Sequence, residues 1–114
     1  MERALELALK GWGRVSPNPL VGAVLLKDGE IVGEGFHCEF GAPHAEVAAL
    51  EQCAEALGTT CVVNLEPCAH VGKTAACAHA LVMAGVARVV FAVSDPHREA
   101  AGGASALRKA GVAV

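Results

Sequence analysis

His44, Glu46, Cys68 and Cys77 carry the side chains of this 114-residue sequence best suited to hold a metal ion and to move a proton beside it. Two thiolates and an imidazole make a good zinc set, and a catalytic zinc uses three protein ligands and keeps one position for water. His44 stands directly before an apolar stretch of helical spacing, and Glu46 follows two residues later, within reach of a water held by the metal. Zinc brings its bound water to a near-neutral pKa, and a neighbouring carboxylate can carry that proton to substrate and leaving group. Cys68 follows an apolar run through Glu66-Pro67, while Cys77 opens a helical pattern whose positive end favours a thiolate. Two thiolates and a neutral imidazole offset the charge of the dication.

The stretch from Leu65 to Cys77, LEPCAHVGKTAAC, also invites a disulfide reading. Five cysteines are an odd number, and the N-terminal MERALELALKGWG has two glutamates and no small-residue cleavage site, so it does not read as a signal peptide. The expected location is the reducing cytoplasm, where structural disulfides are rare. Cys38, Cys53 and Cys61 sit in or beside apolar elements and read as small buried hydrophobes. His79 and His97 read as surface groups, and Glu66 as a structural carboxylate that bonds backbone amides near the metal loop.

Composition sets the frame for these residues. With 54% hydrophobic and 18% charged residues, the chain has the makings of one folded domain over residues 1–114. No apolar run approaches the roughly 18 residues needed to cross a bilayer. A net charge of −3 without a basic cluster offers no footprint for nucleic acid or an anionic membrane.

The elements that must position the chemistry are legible from period and punctuation. Ala4, Leu5, Ala8 and Leu9 mark a helix over residues 2–10, ended by Gly11 and Gly13. Two β-prone runs, 21–27 and 30–37, flank Asp28-Gly29 as a hairpin. A helix is expected over 44–57, with Val47, Leu50, Ala54 and Leu57 on one face and Gly58 as its stop. A strand at 60–65, a helix from Cys77 toward Gly85, a strand ending at Asp95, a helix at 103–110 and a strand from Val112 complete the order. This alternation through the second half predicts parallel crossovers in an α/β sandwich.

Zinc nucleobase deaminases carry H-x-E followed by P-C-x-x-C. Here HAE and PC are present, and eight residues separate Cys68 from Cys77. Together with SPNPLVGAVLLKDGEIVGEGFHCEFGAPHAEVAAL, this spacing resembles the deaminase domain of the bifunctional riboflavin biosynthesis deaminase/reductases, within the cytidine deaminase-like superfamily.

The resemblance implies a three-layer α/β/α fold with a central sheet of about five strands. It implies hydrolytic removal of the 2-amino group of 2,5-diamino-6-ribosylamino-4(3H)-pyrimidinone 5′-phosphate, and a homo-oligomer. One zinc per chain would be held by His44, Cys68 and Cys77, with Glu46 as the proton carrier. Asn18, His37, His70, Lys73 and Thr74 match the family's substrate-contacting positions. Their chemistry agrees: Lys73 and His70 offer donors to phosphate or carbonyl, and Asn18 can give and accept in one plane.

The chain departs from the family at Ala75-Ala76, where Pro-Pro is usual, at Asn64, where Thr is usual, and at DPHRE, where DPNP is usual. The resemblance leads to the expectation of a reductase domain after this one; a separate reductase, a chain cut from a longer parent or a repurposed deaminase would each explain why none follows here. Two other readings use the same residues. A deaminase of another nucleobase, nucleoside or single-stranded nucleic acid is disfavoured in its last form by the acidic charge and the lack of an aromatic stacking platform. A non-catalytic zinc-stabilised binding domain would need a fourth protein ligand.

Overall fold

A tight hairpin organises the first half of the chain. The computed structural model of the protein describes residues 1–16, 19–39, 42–68, 77–93 and 102–114. Strands β1 (Gly22–Lys27) and β2 (Glu30–Phe36) pair antiparallel. Asp28 and Gly29, at φ 51° and 81°, form the turn that their sequence demands. β1 also pairs antiparallel with β3 (Thr60–Leu65), which pairs parallel with β4 (Arg88–Val93), giving the order β2-β1-β3-β4.

Among the described residues the sheet has four strands, against the expected number of about five. A fifth position exists beside β4 as a single parallel bridge from Arg88 to Ala113, with Val89 N–H donating to the Ala113 carbonyl at 2.8 Å. The parallel crossover itself is as predicted.

Helix α1 (Glu2–Leu9) covers one sheet face, where Ala4 and Leu7 pack with Val24. The buried stripe is Ala4, Leu7 and Ala8, whereas the expected Leu5 and Leu9 are exposed. The helix is therefore turned so that Leu7 meets the sheet. On the other face, α2 (Ala45–Glu51), α3 (Cys77–Met83) and α4 (Gly103–Lys109) enclose the main core of Leu25, Val63, Leu81, Val89 and Leu107.

α2 ends at Glu51, well before the expected residue 57. Its last turn tightens, with Cys53 N–H bonding the Leu50 carbonyl at 3.2 Å. Glu55 then takes the Leu57 amide with its own side chain, and the Thr59 hydroxyl donates to the Ala56 carbonyl, so local side-chain bonds replace the helical ladder. Leu57 is consequently exposed.

α2 lies so close to β2 that a Cβ on Gly35 would stand 2.4 Å from the Ala49 nitrogen and 2.6 Å from the Ala45 carbonyl oxygen. Small residues on both surfaces bring the start of α2 to the end of the sheet where β2 and β3 finish. Gly35→Ala is expected to cost about 1–3 kcal/mol by forcing these backbones apart. An unchanged urea midpoint would contradict this packing.

Candidate metal centre

His44, Cys68 and Cys77 come from three chain segments and meet at one point. β3 ends at Leu65 and delivers Cys68 through the buried Glu66-Pro67. Cys77 is the first residue of α3, and His44 is the N-cap residue of α2, in extended conformation at φ −68°, ψ 163°. The three ligand atoms lie within 4.8 Å of one another. His44 Nδ1 is 3.1 Å from Cys77 Sγ and 3.8 Å from Cys68 Sγ.

A tetrahedral zinc bonded at usual lengths to nitrogen and sulfur would separate such atoms by about 3.5 Å. The donor set therefore fits the ion in both chemistry and spacing. Metal on Nδ1 requires the proton on Nε2, the neutral tautomer.

The helix-start effect falls on the other cysteine from the one expected. The Cys77 amide, at the start of α3, donates to Cys68 Sγ at 3.3 Å. Hydrogen bonding from the Cys77 thiol, helped by His44 and by this amide, brings the Cys68 thiol down to about 4 against the opposing effect of burial. The Cys77 thiol is pushed up, chiefly because it donates to Cys68 and is itself buried. Without metal the pair thus shares one proton, with the charge on Cys68.

Glu46 is 4% exposed, in the first turn of α2. Burial pushes its carboxyl up to about 7, opposed by its own backbone amide. The neighbouring Cys68 charge adds to the rise, while His44 and a hydrogen bond with Cys77 lower it. Beside the three ligands stands a carboxyl able to exchange a proton near neutral pH.

Of the predicted substrate contacts, His37 is described and lies 2% exposed. Its backbone N–H donates to the Val21 carbonyl, and its Nδ1–H donates to the Pro43 carbonyl at 3.2 Å. Its ring meets that of His44 edge-on, centroids 5.3 Å apart. His37 thereby braces the residue before a ligand and the ligand ring itself. Asn18, His70, Lys73 and Thr74 lie outside the described residues, as do Ala75, Ala76, His97 and the DPHRE stretch.

Cys61 is buried as expected, whereas Cys38 and Cys53 are half-buried, and His79 is exposed. Asn64 has a part that the sequence reading missed. Its side chain accepts from the Gly22 amide at 2.8 Å and donates to the Leu20 carbonyl at 2.9 Å. It continues the ladder between β1 and β3 with an amide side chain. An amide late in a buried strand was the available signal.

Residues 1–93 match the cytidine and deoxycytidylate deaminase zinc-binding region. The chain belongs to this family. Within the deaminase family, it is 54% identical to the riboflavin biosynthesis protein RibD of Haemophilus influenzae, over 98% of this chain and 31% of that protein. It is 53% identical to RibD of Escherichia coli, over 100% of this chain and 32% of that protein. Among solved structures it resembles a diaminohydroxyphosphoribosylaminopyrimidine deaminase/5-amino-6-(5-phosphoribosylamino)uracil reductase of Thermotoga maritima. The TM-score is 0.97 at 47% identity, covering 100% of this chain and 34% of that one. The chain thus spans about a third of the length of these relatives. Among the described residues, no helix is long and apolar enough to cross a membrane.

The thiol asymmetry has a direct chemical readout in metal-free protein. At pH 6 Cys68 is above its pKa and half-buried, so iodoacetamide should label it well before the buried Cys61 and Cys77. That preference should persist as the pH falls toward 4 and then fade. Mass mapping that finds Cys77 labelled first would contradict the hydrogen-bond arrangement.

Proposed function

We propose that this domain is a zinc-dependent aminohydrolase that removes the 2-amino group of 2,5-diamino-6-ribosylamino-4(3H)-pyrimidinone 5′-phosphate. The observation that carries this reading is the convergence of His44 Nδ1 and two cysteine sulfurs beside the buried Glu46. The substrate is suggested by the similarity to RibD and by the name of the Thermotoga relative.

His44, Cys68 and Cys77 would hold one zinc per chain, two thiolates and a neutral imidazole leaving the site without net charge. When bound, the ion acidifies water and so supplies a nucleophile at neutral pH. Glu46 would accept a proton from the attacking water as its oxygen bonds to the ring carbon bearing the amino group. It would then hand that proton to the departing nitrogen as the carbon–nitrogen bond breaks. One water enters, ammonia leaves, and a ring carbonyl remains.

The other residues would bind and orient. Lys73 and His70 offer donors to the phosphate or a ring carbonyl, Thr74 a hydroxyl, and Asn18 both a donor and an acceptor for a pyrimidine edge or ribose. His37 would keep the His44 ring in register. The uracil product suits a following reduction by a separate domain or protein, the second activity in the Thermotoga relative's name. Self-association, which the resemblance implies, has apolar side chains available at the exposed Leu5, Leu9 and Trp12.

Ammonia release from this substrate by zinc-loaded protein tests the reading. Glu46→Gln should retain zinc and lose at least about 100-fold in kcat, the range of general acid–base catalysis. Full zinc occupancy without turnover in the unsubstituted protein would contradict the substrate. Full turnover in Glu46→Gln would contradict the proton carrier.

A further inference from the structure

We infer that α4 is a positioning element for the ligand Cys68, acting through the carboxylate of Glu66. This rests on the reading that His44, Cys68 and Cys77 hold zinc. α4 lies beyond residues 1–93, the part matched by the zinc-binding region, yet it docks on the segment that carries a ligand.

The contact is specific and buried. Glu66, 7% exposed, accepts the Ala104 amide on Oε2 at 2.9 Å, satisfying one of the orphan amides at the start of α4. Gly102, the residue before the helix, has no side-chain cap bond of its own, so the cap comes from 38 residues away in sequence. One residue earlier, a Cβ on Gly103 would stand 1.6 Å from the Pro67 carbonyl oxygen. The helix start therefore rests directly on the Glu66-Pro67 backbone, a fit that only glycine permits.

Backbone bonds hold the same short segment at both ends. The Glu66 amide donates to the Val93 carbonyl at 2.8 Å, and the Cys68 carbonyl accepts the Ala78 amide at 3.1 Å. Pro67 is fully buried, and α4 is anchored below by Leu107, 0% exposed in the main core. Cys68 is thus set between the starts of two helices: α3 bonds its sulfur and carbonyl, and α4 fixes the two residues that lead to it. Removing the α4 contact frees the approach to Cys68 while leaving the sulfur's own bonds intact.

Zinc affinity, measured by competition with a chromophoric chelator on the whole chain, tests this without recourse to turnover. Glu66→Ala and Gly103→Ala should each weaken binding by about 10- to 100-fold, as loss of partners that orient metal ligands does. Glu66→Gln, which keeps an acceptor oxygen, should bind close to the unsubstituted protein. Val24→Ala, in the small cluster under α1 on the opposite face, controls for lost stability alone and should leave zinc affinity unchanged. Undiminished affinity in Glu66→Ala, or an equal loss in Val24→Ala, would overturn the role of α4 alone. An unsubstituted chain that takes up no zinc would overturn the metal-site reading and this inference with it.

Discussion

The architecture depends on bringing two cysteine sulfurs and one imidazole nitrogen within 4.8 Å from three separate segments of chain. Two thiols packed together without metal are a poor arrangement, since only one of the pair can ionise easily. The fold tolerates the cluster because the start of α3 supplies an amide to Cys68. β2 and β3 both finish at the same end of the sheet, and α2 and α3 both begin there. Ligand sites at the carboxyl ends of strands, near helix starts, are a general outcome of such sheets.

Around this point, glycines and small residues set distances that larger side chains would forbid. Gly35 lets α2 lie on β2, which places His44 and Glu46, and Gly103 lets α4 rest on Pro67, which leads to Cys68. Each close approach thus lies on a segment that leads to one of the three ligand residues. Asn64 acts between them, tying the entry to β1 to the end of β3 through both atoms of its amide.

Much of this was legible in the sequence wherever the signal is local. Asp28-Gly29 specified the hairpin, and the types and order of His44, Glu46, Cys68 and Cys77 marked a cluster that the fold brings together. Glu66 read as a carboxylate for backbone amides and is one. Other features were set by tertiary packing, which a periodic pattern cannot report. The stripe on α1 uses Leu7, because the sheet decides which side of the helix is buried. α2 stops at Glu51, because Glu55 and Thr59 capture backbone groups that a longer helix would have used. The bond from Ala104 to Glu66 and the amide of Cys77 on Cys68 join residues whose proximity exists only in the folded chain.

His44, Cys68 and Cys77 are proposed to form a three-ligand zinc site with one position left for water, in a member of the deaminase family. Zinc K-edge absorption spectroscopy of the metal-loaded protein, with metal content measured on the same sample, tests it most directly. One zinc per chain with two sulfur and two lighter neighbours is the expected result. A third sulfur neighbour, or no sulfur at all, would contradict it.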